Sequence, residues 1–244
     1  MPPSEHNGGR WILSMGWLDL LFAHWPVPCE VLRPLIPASL GIDVFDGHAW
    51  LGIVPFRMSA VRPRWMPALP PISAFPELNV RTYVTLGGRP GVWFFSLDAA
   101  SRLAVRVARA TFHLPYFDAR MTCRPLAEDG IEYTSQRTHR GIVGARMEAS
   151  YRPIGPVFQS EPGSLEHWMT ERYSLYSADG RNRVFRGDVM HEPWPLQRAE
   201  ASFAHCDMTR ILEWEPARHE LPHLLFARRV EVKAAWPELV ARAS

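Results

Sequence analysis

The chain has 244 residues, 47% hydrophobic and 21% charged, with a formal net charge of +2. That length suits one large domain able to bury a sizeable core, and so small a charge offers no strong field for gripping nucleic acid. Three cysteines without a CxxC pair argue against a zinc knuckle or a disulfide framework, and no signal-peptide pattern or membrane-length apolar run is visible, so a cytoplasmic protein with reduced thiols is expected.

The 23 prolines and 16 glycines are scattered rather than gathered into a linker, which predicts a single domain over residues 1–244, its first ten or so residues a flexible tail. In chain order, "FAHWPVP" sets His24 and Trp25 in a rigid, ring-rich corner. "CEVLRPLIPASLG" predicts a short helix near residues 28 to 33, stopped by Pro34 and Pro37. "GIDVFDGHAWLGIVPF" places Asp46-Gly47 between apolar runs, the signature of a tight hairpin. "LNVRTYVTLGGRPGVWFFSLDA" reads as a second hairpin around Gly87-Gly88.

"DAASRLAVRVARATF" predicts a helix starting near Asp98, and "ARMTCRPLAEDGIEYTSQRT" a third hairpin turning near Asp129-Gly130. "ARMEASYRP" and "QRAEASFAHC" read as extended, and "LLFARRVEVKAAW" as a late strand. "GSLEHWMTERYSLY" spaces Leu165, Trp168, Met169 and Tyr173 along one helical face. Many short strands with regular turns and a few covering helices point to a barrel or curled sheet.

Three stretches could carry chemistry. In the strand "FPELNVRTYV", alternation puts Glu77, Asn79, Arg81 and Tyr83 on one face, either a solvated sheet face or the polar wall of a wet cavity. In "SRLAVRVARATFHLPYF", Arg102, Arg106 and Arg109 share a helical face that could bind a carboxylate or phosphate, the ordinary alternative being a solvated surface. His113 follows as a candidate base or as a structural ring. In "DVMHEPWPLQ", His191 and Trp194 lie beside two prolines that fix an extended path, suited to a rim or lid. "HEPWP" lacks the second histidine of HExxH, and no GxSxG, GxxxxGK[ST] or GxGxxG occurs.

The succession "AHWPVPCEVLRPLIPASL", "DVFDGHAWLGIVPFRM", "FPELNVRTYV", "GRPGVWFFSLDAAS", "LPYF", "SLEHWMTERYSLY" and "HEPWPLQ" resembles the YqjF-like family, a domain of unknown function, over nearly the whole chain. More distantly, "VLRPLIP", "FPEL" and "HLPYF" resemble, in order, parts of the acetoacetate decarboxylases. That resemblance implies a mainly β (α+β) fold, a cone-shaped antiparallel β-barrel around a central pocket with a few short covering helices. It also implies that Glu77 occupies an acidic position of the pocket. In the decarboxylases, a lysine in an aromatic-Pro-Lys-Lys turn forms a Schiff base. Here Pro115 is followed by Tyr116 and Phe117, and Lys233 is the one lysine among 27 basic residues. Arginine stays protonated and cannot substitute as the nucleophile.

Three functional classes follow. The first is a barrel holding a small anionic or carbonyl-bearing ligand without covalent chemistry, its pocket formed by Glu77, Arg81, Arg106, Arg109, His113 and Tyr116, and its rim or lid by His24, Trp25, His191 and Trp194. The second is an acid–base enzyme, an isomerase, hydratase or lyase, with Glu77 or His113 as base and Arg81 or Arg109 stabilising an anion. The third is a structural protein that assembles as a homo-oligomer through its tryptophan and proline corners. No cofactor, metal, nucleic acid or membrane partner is expected.

Overall fold

The computed structural model describes residues 11–69, 73–181, 183–216 and 220–242. The expected flexible tail over the first ten residues lies outside the described residues. The described elements run β1 (Trp11–Val27), α1 (Cys29–Leu32), β2 (Gly41–Ile42), β3 (Ala49–Pro63), β4 (Phe75–Leu86), β5 (Arg89–Ala99), α2 (Arg102–Phe112), β6 (Tyr116–Pro125), β7 (Ile131–Arg137), β8 (Arg146–Phe158), α3 (Leu165–Thr170), β9 (Ser174–Ala178), β10 (Arg183–Met190), β11 (Leu196–Cys206), β12 (His223–Ala235) and β13 (Glu238–Arg242). No helix among the described residues is long and apolar enough to cross a membrane.

Turn chemistry sets the local pairings. Asp46 and Gly47 have φ of 49° and 77°, and Gly87 and Gly88 have φ of 58° and 77°. Both central residues of each turn are therefore left-handed, as a two-residue hairpin loop requires. The second turn joins β4 to β5, with Leu86 opposite Arg89. The first closes only the Phe45–His48 bridge, because β2 pairs with β4 and not with β3. The third hairpin joins β6 to β7, with Pro125 opposite Ile131 and Glu128 and Asp129 left-handed between them.

The strands form one 13-stranded sheet that closes on itself twice. The β4–β5 pairing closes a circuit through β6, β7, β8, β11, β12, β1 and β3. The β10–β12 pairing closes a second circuit through β9, β5, β4, β3 and β1. The wall β12-β1-β3-β4-β5 is common to both. The expected antiparallel barrel is thus a ring of strands with a second, fused circuit, and β5 pairs in parallel with both β6 and β9. Parallel pairing at β5–β6 follows from α2, which crosses over between those strands.

Side chains on the two faces of the shared wall enter two different apolar clusters. Leu21, Ile53, Leu78 and Val80 pack with Tyr133, Met147, Tyr151 and Phe226. Leu20, Phe22, Val54 and Phe56 pack with Val92, Tyr116, Met169 and Trp194. Tyrosine hydroxyls tie the first cluster together from across the circuit. Tyr133 donates to the carbonyls of Glu77 (2.7 Å) and Phe56 (3.1 Å), and Tyr151 to that of Asp19 (2.9 Å).

The long strand β1 escapes a simple alternation count because it carries a kink. Asp19 is left-handed, with φ of 54°. Leu13, Met15 and Trp17 face the second cluster before it, Leu20 and Phe22 after it. One residue has been inserted into the period of two, which is what a bulge does. Aspartate tolerates this conformation better than most residues. Its buried carboxylate is held by Arg57 and Arg228, at 2.5 and 2.8 Å. Ala60, with φ of 49°, marks the corresponding switch in β3, between Met58 and Val61.

The helices start and stop where their caps dictate. Ser101, not Asp98, caps α2, accepting from the Ala104 N–H; Asp98 is buried in β5 and paired with Arg137 at 2.9 Å. Ser164 caps α3 in the same way, accepting from the His167 N–H. That helix ends at Thr170, so Tyr173 falls outside it, in the link to β9.

Candidate functional site

Inside the second circuit lies a cavity of about 200 Å³. Its lining is mostly apolar: Leu13, Met15 and Trp17 from β1, Val54, Phe56, Met58 and Val61 from β3, Ala104, Val107, Ala108 and Phe112 from α2, and Val189 from β10. The polar contribution comes chiefly from β4, whose alternating residues Glu77, Asn79 and Arg81 all face it, joined by Tyr116, Thr170, Arg172 and His191. The polar-face reading of "FPELNVRTYV" therefore has its cavity, while the opposite face of the strand, Leu78 and Val80, is core.

Strand register orders these groups along the cavity. Arg81 is opposite Gly52, Asn79 opposite Val54, Glu77 opposite Phe56 and Phe75 opposite Met58. Going down β4 from Arg81 to Phe75, the wall changes from charged to polar to apolar. Further along β3 the lining continues with Val61, and on β1 with Leu13, which is opposite Pro63.

Glu77 is 2% exposed and accepts a hydrogen bond from the Tyr116 hydroxyl at 3.1 Å. Burial pushes its carboxyl up to about 8, partly opposed by the Tyr116 hydrogen bond. It is therefore mostly neutral at neutral pH, a carboxylic acid able to donate. Burial also raises the Tyr116 hydroxyl, so that group stays protonated.

Arg81 has no carboxylate within ion-pair distance among the described residues, and its buried Nε has no hydrogen-bond partner there. Its guanidinium lies over the rings of Phe22 and Tyr83, at 5.3 and 5.8 Å. Arg172 differs: one nitrogen pairs with Asp43 and another donates to the Trp168 carbonyl, but Nη2 is unpartnered. The indole N–H groups of Trp17 and Trp194, stacked at 6.0 Å, and the Asn79 Oδ1 are likewise buried without partners among the described residues. Five unpartnered polar atoms thus belong to residues lining one apolar cavity, where an unmade hydrogen bond costs about 1–3 kcal/mol each.

His191 packs on Tyr173 at 4.7 Å, and its Nδ1 lies 2.8 Å from the Glu192 carbonyl. Burial lowers its pKa and so favours the neutral ring, partly opposed by hydrogen bonding to the Glu192 and Arg172 backbone. On the same face as Phe22 but outside the cavity lining, His24 is fully buried and bonded to the Tyr83 hydroxyl at 2.7 Å. Gly52 makes this possible, since a Cβ there would stand 2.5 Å from the His24 Nε2.

The structure brings Glu77, Arg81 and Tyr116 to one cavity, together with His191 and Trp194, which form its wall and not a rim. It places the other candidates elsewhere. Arg106 pairs with Asp118 at 3.0 Å on the outer side of α2. Arg109 donates to the Tyr116 carbonyl at 2.8 Å and, with His113, faces a separate outer groove with Trp93, Phe95 and Tyr176. His113 is turned away because it caps the C-terminus of α2 in a left-handed conformation, its ring packed on Phe185. Trp25 lies in the first cluster and donates to the Glu220 carbonyl. Sequence reasoning missed Trp17, hidden by the kink in β1, and Arg172, which read as part of a continuing helix.

Lys233 is exposed on β12, at 5.5 Å from the Trp11 ring, and does not line the cavity. Among the described residues no group of three or more histidine, cysteine, aspartate or glutamate side chains is arranged to hold a metal ion.

Comparisons with known proteins agree with this architecture. The model of a family named DUF2071, described as an uncharacterised conserved protein, matches residues 14–231. The uncharacterised protein YqjF of Bacillus subtilis (strain 168) is 48% identical over 196 residues, covering 80% of this chain and 79% of its own. Among solved structures, the enduracididine biosynthesis enzyme MppR, complexed with the condensation product of pyruvate and imidazole 4-carboxaldehyde, superposes with a TM-score of 0.67 at 12% identity, covering 100% of this chain and 92% of that one. Acetoacetate decarboxylase from Legionella pneumophila superposes with a TM-score of 0.61 at 10% identity, covering 96% and 87%. At these identities the solved structures show a shared fold.

Proposed function

This chain belongs to the DUF2071 family, and from that premise we propose that it holds a small, largely apolar molecule bearing a carboxylate or carbonyl oxygen, without a covalent intermediate. The observation that carries this reading is Arg81, a guanidinium with no carboxylate partner among the described residues, on the wall of an apolar cavity. Arg81 is half-buried and interacts with the Tyr83 side chain, and an anionic oxygen in the cavity supplies the missing counter-charge in charge-assisted hydrogen bonds. The unpartnered Trp17, Trp194 and Arg172 N–H groups add donors, and neutral Glu77 adds one more. The complex of the distant fold relative MppR, a product built from pyruvate, lends this ligand class some support.

A thermal-shift screen of carboxylic acids and ketones tests it. Binders should raise the melting temperature of the wild type, and Arg81→Gln should weaken carboxylates about 10-fold or more, the scale of one charged hydrogen bond. A screen in which neither class stabilises the protein would sink the proposal. Reduction with borohydride in the presence of a 2-oxo acid should leave no adduct, since the lone lysine faces outward.

A second reading is favoured by the pairing of a neutral acid with a neutral imidazole. Glu77 donates a proton to a carbonyl oxygen while the neutral His191 ring, on the same cavity, removes one from the adjacent carbon, producing an enol. This replaces the Glu77–His113 combination, whose members face different sites. Deuterium exchange into bound ketones, followed by NMR and abolished by Glu77→Gln, would support it; no exchange above the rate in buffer would exclude it.

A further inference from the structure

At its apolar end the cavity adjoins a second depression. Leu13, Val107 and Phe112 line it and also line a neighbouring groove of about 510 Å³ on the outside of the molecule. That groove is walled by Trp11, Trp65 and Trp236, with Pro63 and Arg64 at the end of β3. Trp65 and Trp236 are 85% and 57% exposed, and Val107 of α2, on the same groove, is about half exposed. Exposed large apolar side chains in one cluster mark a surface that meets something apolar.

The order of residues along the strands gives this opening a direction. Arg81 stands at one end of the lining of β4, and Phe75 lies six positions nearer the opening. At about 3.3 Å per residue that is roughly 20 Å of wall. Beyond it the lining continues through Val61 and Leu13 to the tryptophan groove. Along this path the walls carry charge at one end and apolar side chains at the other.

We propose that the ligand is an amphiphile, a carboxylate with a linear apolar tail, its head at Arg81 and its tail passing Leu13, Val107 and Phe112 into the tryptophan groove. The proposal rests on the reading of the cavity as a carboxylate or carbonyl site and adds the shape of the ligand. A compact oxo acid would leave the apolar end of the lining and all of the groove unused. A tail buries both. Helix α2, which supplies Ala104, Val107, Ala108 and Phe112 to the passage, is then the element the tail runs beneath.

The test is titration calorimetry with acetate, butyrate, hexanoate, octanoate and decanoate, and with the straight-chain alcohols of the same lengths. Affinity for the acids should rise about fourfold per methylene, the equivalent of about 0.8 kcal/mol for each one buried. Val107→Trp, which narrows the passage, should end that rise at a shorter acid. Trp65→Phe gives an independent check at an exposed position: quenching of tryptophan fluorescence by a fatty acid brominated at its far end should fall in this variant.

Acids that bind with no dependence on length overturn the tail and leave the head-group reading standing. Alcohols that bind as tightly as acids at every length overturn the role of Arg81 instead, and no binding by either series overturns both readings. If the groove serves a second copy of the chain, Trp65→Asp converts a dimer to a monomer in light scattering while long acids fail to quench, and the amphiphile proposal falls.

Discussion

Glu77 shows how one side chain couples fold and chemistry. Its backbone carbonyl receives the Tyr133 hydroxyl from inside the first circuit, while its side chain faces the second. In the unfolded chain its carboxyl ionises near 4.5, and in the folded chain near 8. Between those values the folded state binds more protons than the unfolded state, so this group's contribution to stability falls as pH rises through that window. Below it both states are neutral and the penalty is absent; above it the penalty is complete. The melting temperature of Glu77→Gln, measured against the wild type from about pH 4 to pH 9, should therefore improve steadily across the window and level off beyond it. A difference that does not change with pH would show that Glu77 is ionised in the folded protein. Residues 77 and 81 were legible in the sequence because alternation along a strand is a local rule. The exclusion of His113 was not, since it depends on one left-handed residue at the end of α2.

At the scale of elements, the kink at Asp19 decides which residues of β1 reach the cavity. It lets Trp17 and Leu20, three positions apart, face the same way. Two roles are combined in Asp19, the left-handed backbone and the ion pairs to Arg57 and Arg228. They can be separated. Asp19→Gly keeps the backbone and loses the pairs, whereas Asp19→Val loses both, and a β-branched side chain is the worst fit to that conformation. Urea denaturation should show Asp19→Val less stable than Asp19→Gly by about 1–2 kcal/mol. Equal losses would mean that the ion pairs alone hold the kink.

At the scale of the molecule, two circuits share one wall, and one packs a cluster of fully buried side chains while a cavity opens in the other. Tyr133, Tyr151, Met147 and Phe226 fill the first, and the cavity occupies the second. Adjacent residues of β1 sample the two environments: Leu21 faces the filled side and Leu20 the hollow side, both almost fully buried. Leu21→Ala should cost about 2–5 kcal/mol, the usual penalty for a void in a packed core. Leu20→Ala should cost about half as much, because part of its surface already lacks packing partners. Equal costs in denaturant titrations would indicate that the cavity collapses when nothing occupies it.

The strand-rich class, the turns at Asp46-Gly47, Gly87-Gly88 and Asp129-Gly130, the polar face of β4 and the single lysine were readable from the chain alone, because each depends on residues close together in it. That β2 pairs with β4, that β10 closes a second circuit on β12, and that Trp17, Arg172, His191 and Trp194 meet Glu77 and Arg81 around one cavity emerges from the folded molecule. Those outcomes depend on which strands close on which, and on kinks that reverse the inward face. Closure is set by the joint burial of both faces of the shared wall, which no local period records.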